Sequence, residues 1–174
     1  NAEKARISGI DASFNSTGKL GKVELISLLG YTYMNPISLN SNPQYIANFS
    51  DTSTNMLKYR FKHLAKADVE ATYQHLSIGF SARYNSYMRN IDRIFEDDLD
   101  PSLTSTVYIL PGLKAYRQQH NTGNLVLDFR LAYAFQEKYK VSFIVNNFLN
   151  AEYATRPGDI QAPRNFIIQL QAKF

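Results

Sequence analysis

Over residues 163–174 apolar and polar residues alternate. Phe166, Ile168, Leu170, Ala172 and Phe174 fall on one side of an extended chain and Asn165, Gln169, Gln171 and Lys173 on the other, with Ile167 the single apolar intruder. A period of two marks a strand with one apolar and one wet face. The same alternation predicts strands over 3–15, 22–34, 77–88, 124–135 and 139–149. It is cleanest in Asn124–Phe135, where Leu125, Leu127, Phe129, Leu131, Tyr133 and Phe135 share a side. Before Ile10 the alternation is poor, which predicts a bulge or a rim position there. Residues 55–74 keep one phase, with Leu57, Tyr59, Phe61, Ala65, Ala67, Val69, Ala71 and Tyr73 all odd. Only His63 and Leu64 break it, so the pattern predicts one long strand rather than two.

The connections between these seven strands are unequal. Short ones at 16–21, 74–76 and 136–138 alternate with long ones at 35–54, 89–121 and 150–163. All short turns then lie at one end of the sheet, the arrangement of an outer-membrane β-barrel with short periplasmic turns and long outer loops. Phe14, Tyr73, Phe135, Tyr139 and Phe174 are expected to form an aromatic girdle at the short-turn end, and Tyr31, Tyr33, Tyr59 and Tyr84 another toward the long loops. The competing reading is a soluble β-sandwich or small ligand-binding barrel with the apolar face inward. Seven strands cannot close a bacterial outer-membrane barrel, which takes an even number. The chain also opens at Asn1 within strand-like sequence and without a targeting segment. It reads as the C-terminal part of something larger, with further strands elsewhere.

Composition adds a little. Twelve Tyr and eleven Phe, without Trp, suit strands and membrane-interface girdles. No cysteine is present, so a disulfide framework or thiolate metal site is excluded. The net charge of +4 comes without a Lys/Arg cluster, which argues against a nucleic-acid partner. No apolar run approaches the length of a spanning helix, a test that strands escape.

No catalytic constellation is visible. His63, His75 and His120 are scattered without ligand spacing, and read as surface or rim histidines, His63 on the apolar face. The acidic run Glu96-Asp97-Asp98…Asp100 lacks the glycine and spacing of a calcium loop and reads as a solvated loop. Neither an enzyme nor a cofactor is expected. The wet face collects Lys58, Arg60, Lys62, Asp68, Glu70, Arg83, Asp128, Arg130, Lys140 and Lys173, the wall of a polar lumen.

The closing segment resembles a known family. Val141-Ser-Phe-Ile-Val-Asn-Asn-Phe-Leu-Asn-Ala-Glu-Tyr153, the Arg156-Pro157…Pro163-Arg164 loop and the aromatic terminus are similar to the C-terminus of TonB-dependent outer-membrane receptors, most of all the Bacteroidetes forms. Gly30-Tyr-Thr-Tyr-Met34 and Ala82-Arg-Tyr-Asn-Ser86 also look like that family. Phe148-Leu149 departs from it, standing where Leu-Phe is commoner. The resemblance implies an all-β transmembrane antiparallel barrel of about twenty-two strands, of which these are the last seven. It implies active import of a scarce nutrient (iron chelate, haem, cobalamin, glycan or peptide) with energy delivered through TonB, ExbB and ExbD to a plug domain. The alternative is a structural or adhesive outer-membrane barrel without transport. Implied partners are the rest of the barrel, the plug, outer-membrane lipid and a surface lipoprotein. The resemblance gives structural work to Asn146, Asn147, Asn150, Tyr153, Pro163 and Arg164. It makes Phe166, Ile168, Leu170 and Phe174 a signal to the barrel-assembly machinery, and turns Arg83, Asp128 and Arg130 toward the plug.

Overall fold

The computed structural model describes residues 4–96, 109–136 and 138–173. Seven strands form one sheet in sequence order, every neighbouring pair antiparallel. They are β1 (Ala5–Leu20), β2 (Val23–Ser38), β3 (His63–Tyr73), β4 (Leu76–Asn85), β5 (Asn124–Phe135), β6 (Tyr139–Asn146) and β7 (Asn165–Ala172). Short helices α1 (Pro43–Ile46) and α2 (Leu113–Gln119) and a 3-10 turn at Arg93–Phe95 lie in the long connections. β1 and β7 do not pair with each other, so the sheet is open.

Register carries the apolar face across the whole sheet. Phe14 stands opposite Leu29, Leu29 opposite Ala67, Ala67 opposite Ala82 and Ala82 opposite Leu127. Val69–Phe80–Phe129–Val145–Phe166 forms another such row. A slip of one residue in any pair would turn a strand over. The apolar face carries most of the exposed apolar side chains: Phe80 is 55% exposed, Ile168 73% and Leu170 76%, with Val145 (4%) an exception, whereas Val126 and Ala132 on the polar face are 4% and 8% exposed. A soluble barrel with an apolar interior requires the reverse.

The tight ends lie at residues 21–22, 74–75 and 136–138, and the long connections at 39–62, 86–123 and 147–164. Gln74 (φ 54°) and Gln136 (φ 53°) take the left-handed conformation that reverses the chain in two of the tight turns. The alternation of short and long connections stands as expected.

Several boundaries differ from the sequence reading. Residues 16–20 continue β1 instead of forming a turn, which leaves Phe14 six residues from the strand end and outside the short-turn girdle. β1 has no bulge before Ile10; its ladder to β2 runs unbroken from Ala5↔Ser38 to Leu20↔Val23. The alternation fails there because Ile7 lies on the polar side while Arg6 and Ser8 share the side of Ile10; Gly9 is a separate feature, since a Cβ at that position would stand 2.1 Å from the Tyr33 carbonyl oxygen. β2 continues past Pro36 to Ser38 because only β1 pairs regularly with it there, so the missing N–H removes no ladder bond to a second strand.

The largest correction concerns residues 55–62. They are not strand: β3 begins at His63, and Tyr59 stands at φ 60°, outside any extended conformation. The odd-numbered apolar residues Leu57, Tyr59 and Phe61 share their parity with β3 without belonging to it.

Candidate functional site

Of the four large side chains that are fully buried among the described residues, three lie in the long connections, and the fourth, Pro36, is near the end of β2 that faces them. Phe49 is 1% exposed, Ile91 0% and Asn90 0%, with Met56 and Met88 beside them in burial. Asn90 ties two connections together. Its Oδ1 accepts from the Asp51 N–H (2.7 Å), its Nδ2 donates to the Met56 carbonyl (2.8 Å), and its own carbonyl accepts from the Tyr59 N–H (2.8 Å). Ser50 and Ile91 exchange two further bonds, and Phe49 bridges to Asp92. A buried amide satisfied on both sides fixes one arrangement of the two segments.

Charged pairs close this module. Arg89 Nε lies 2.6 Å from Asp51, and Asp92 receives both Lys58 and the Tyr59 hydroxyl. Burial alone would raise the Asp51 and Asp92 carboxyls. Hydrogen bonds from Ser53 and Arg89, and from Lys58 and Tyr59, outweigh it and hold both below the ordinary carboxylate value. Tyr59, buried and bonded to Asp92, is pushed up. The bond to Asp92 gives Tyr59 a reason to hold its left-handed backbone.

Next to this module, α2 and the 147–164 connection enclose a chamber of about 370 Å3 lined by Tyr87, Tyr116, Tyr153, Leu110, Ile160 and Arg156, among others. Arg117 of α2 forms one wall. Its guanidinium binds Glu96, donates to the carbonyls of Met88 (2.9 Å) and Arg89 (3.2 Å), and lies 4.8 Å from the Tyr87 ring centroid. Behind Arg117 and Tyr87 is a second, more polar chamber of about 770 Å3, lined by Asp51, Lys62, His63 and Asn121 among others. The Thr54 hydroxyl in its lining is buried without a hydrogen-bond partner among the described residues. Burial pushes the Tyr87 and Tyr116 hydroxyls up, and the Glu152 carboxylate adds to this at Tyr116, so both are neutral hydrogen-bonding groups.

On the polar face of the sheet the charges first satisfy one another. Arg130 on β5 makes two bonds to Asp68 on β3 (2.9 and 3.0 Å) and also donates to Ser81. Arg83 reaches Asp128 at 3.2 Å. Lys58 and Lys62, assigned to this face with Arg60 by parity, precede β3 and belong to the long connection before it; Lys58 turns to Asp92.

The asparagines of the closing motif root the last connection. Asn147 (φ 50°) is 3% exposed; its amide donates to the Ala151 and Ala162 carbonyls and accepts from the Ala151 N–H, while its backbone N–H donates to Asp128 (2.8 Å). Asn150 (φ 52°) accepts from the Arg164 N–H, and Asn146 donates to Asn165 across β6 and β7. Arg164 donates to the Phe148 carbonyl and lies over Phe166, while Pro163 offers its carbonyl to Asn165. Tyr153 faces the smaller chamber.

His63 lies on the apolar face opposite Tyr33, its Nδ1 2.8 Å from the Tyr31 hydroxyl. His75 sits in a tight turn near Tyr133, and His120 stacks on Tyr116 in the outer connections. No group of three or more His, Cys, Asp or Glu side chains able to hold a metal ion occurs among the described residues. Of the acidic run, Glu96 binds Arg117; Asp97, Asp98 and Asp100 lie outside the described residues, as does Phe174. Phe166, Ile168 and Leu170 project from the apolar face of β7.

The chamber residues Tyr87, Tyr116 and Arg117 and the tether Asn90 were not singled out from the sequence. One local signal existed: Pro111-Gly112 followed by Leu-Lys-Ala-Tyr-Arg-Gln-Gln, good helix formers after a break. Nothing local says that this helix meets Tyr87 and Tyr153.

An up-and-down antiparallel sheet, apolar on its exposed side, polar on the other and with all long connections at one end, is the wall of a β-barrel of the outer-membrane class. Comparison with solved structures agrees. The chain superposes on the ferric-catecholate import receptor Fiu of Escherichia coli K12 with a TM-score of 0.65 at 17% identity, covering 98% of this chain and 21% of that one. On the siderophore receptor PiuA of Acinetobacter baumannii the TM-score is 0.61 at 16% identity, covering 98% and 22%. The chain therefore spans about a fifth of each receptor's length. No protein-family profile matches it, and no curated protein does.

Proposed function

We propose that this chain forms part of the transmembrane barrel of an outer-membrane receptor that imports a scarce nutrient, with energy supplied through TonB. The observation that carries this reading is the exposed, continuous apolar face combined with a structured set of long connections at one end. A lipid-facing belt and a ligand-facing mouth need that division. The fold shared with two siderophore receptors supports it and makes an iron chelate the first substrate class to test. The open edges of β1 and β7 expose ladder groups that lipid cannot satisfy, at several kcal/mol each, so further strands complete the wall.

Within this reading, Arg83, Asp128 and Arg130 face a plug in the lumen, where a second partner can share the ion pairs they already make. Phe166, Ile168, Leu170 and Phe174 present the barrel-assembly signal. Asn146, Asn147, Asn150, Tyr153, Pro163 and Arg164 hold the last loop at its root.

The test is uptake of radioactive iron, offered as catecholate chelates, by cells expressing the protein as its gene encodes it. Import that stops on adding a protonophore or deleting TonB is the expected result. Outer-membrane location without uptake of iron chelates, haem, cobalamin, glycans or peptides would favour a structural or adhesive barrel. Recovery of the protein in the soluble fraction would overturn both.

A further inference from the structure

The smaller outer chamber has a definite chemistry. Its volume of about 370 Å3 falls in the range of small-molecule sites. Rings from three separate stretches, Tyr87, Tyr116 and Tyr153, meet aliphatic Leu110 and Ile160 there. Such a lining offers flat apolar contact for a ring, with phenol hydroxyls at its edge.

Its charges are uneven: two guanidiniums, Arg117 and Arg156, face one carboxylate, Glu152. Arg117 is committed to Glu96, to two carbonyls and to the Tyr87 ring. Arg156 is different. It is exposed and lines the chamber; its carbonyl accepts from the Asp159 N–H, but its guanidinium makes no hydrogen bond or ion pair among the described residues. Glu152 lies by Tyr116, whose hydroxyl is 3.5 Å from the Glu152 carbonyl, and forms no ion pair with Arg156.

We propose that this chamber binds a planar ring bearing an acid group, with the ring against the tyrosines and the acid on Arg156. This rests on the import reading and names the class of ligand group that the mouth selects. A guanidinium without a side-chain partner among the described residues, beside an aromatic wall, supplies what such a group needs: a forked, charge-assisted donor and a surface for its face.

The experiment is saturation-transfer NMR on the protein as encoded, in lipid nanodiscs, with benzoate, benzyl alcohol and methyl β-glucoside as probes. Benzoate is expected to bind most tightly, and Arg156→Gln to weaken it about tenfold while leaving benzyl alcohol unchanged. Lys114→Gln, on α2 but outside the lining, leaves all three unchanged. Equal binding of benzoate and benzyl alcohol, no effect of Arg156→Gln, or preference for the glucoside overturns the proposal. Arg156 is exposed, so its replacement does not endanger folding. Uptake measured on the same cells separates the two readings. Benzoate binding without import of any nutrient sinks the import reading alone, and import without benzoate binding sinks this one alone.

Discussion

Gly79 and Arg130 are cross-strand partners, and the guanidinium of Arg130 occupies the space that a side chain at 79 would fill. A Cβ on Gly79 would meet Arg130 Nη2 at 2.9 Å and Nε at 3.0 Å. From that position Arg130 holds Asp68 with two bonds. Gly79→Ala should therefore cost about 1–3 kcal/mol by pushing the guanidinium off its site. In an Asp68→Ala background the arginine is free to move, and the cost should shrink by at least about 0.5 kcal/mol. Denaturant unfolding of the four proteins in detergent checks this; strictly additive effects would refute it.

Asn90 ties two of the long connections together. Asn90→Ala strands the Asp51 N–H and the Met56 carbonyl, each costing about 1–3 kcal/mol where no water replaces the bond. The expected result is faster hydrogen exchange over residues 43–60, with β4 and β5 unchanged. Equal exchange in both proteins would show that the two connections are held otherwise.

Acid should loosen the same module. Asp51 and Asp92 have folded pKa values below the ordinary 3.8. A depressed carboxyl contributes stability that is present above its unfolded pKa and drains away as pH falls through its folded value. Exchange over residues 43–60, corrected for its intrinsic pH dependence, should rise below about pH 4. Asp92→Asn should flatten part of that rise, and an unchanged profile would count against the assignment.

The apolar face makes a separate prediction. Phe80 packs against Phe129 with the rings tilted at 53° and their centroids 5.1 Å apart, and is more than half exposed. If lipid covers it, Phe80→Arg should cost about 2–4 kcal/mol on folding into liposomes, whereas Gln169→Arg on the polar face should cost close to nothing. A tolerated arginine at 80 would place that face in water.

Strand positions were legible where one residue in two had to be apolar. β5 runs from Asn124 to Phe135 as its pattern predicts, because every outward residue meets a partner on at least one neighbouring strand, and Phe129, Leu131 and Tyr133 meet one on both. The same rule misread residues 55–62. There Met56 is buried in the loop module and Phe61 lines a chamber, so their spacing reflects contacts made by a folded connection. No glycine announces the break, since Tyr59 itself takes the left-handed conformation. The closing asparagines stood out in the sequence, and their side chains make hydrogen bonds at the ends of the last connection. The ring of tyrosines around Arg156 was not, because it depends on three stretches meeting, and no local period encodes that.

Asp128 has two obligations. One oxygen faces Arg83 on the polar wall, and the other accepts the backbone N–H of Asn147, from which the last outer connection is hung. The posture of that connection is thus tied to a charge on the polar face of the sheet. In the proposed barrel, a group that competed for Arg83 or neutralised Asp128 would bear on the root of the segment carrying Tyr153 and Arg156. One carboxylate would then couple the bore to the mouth.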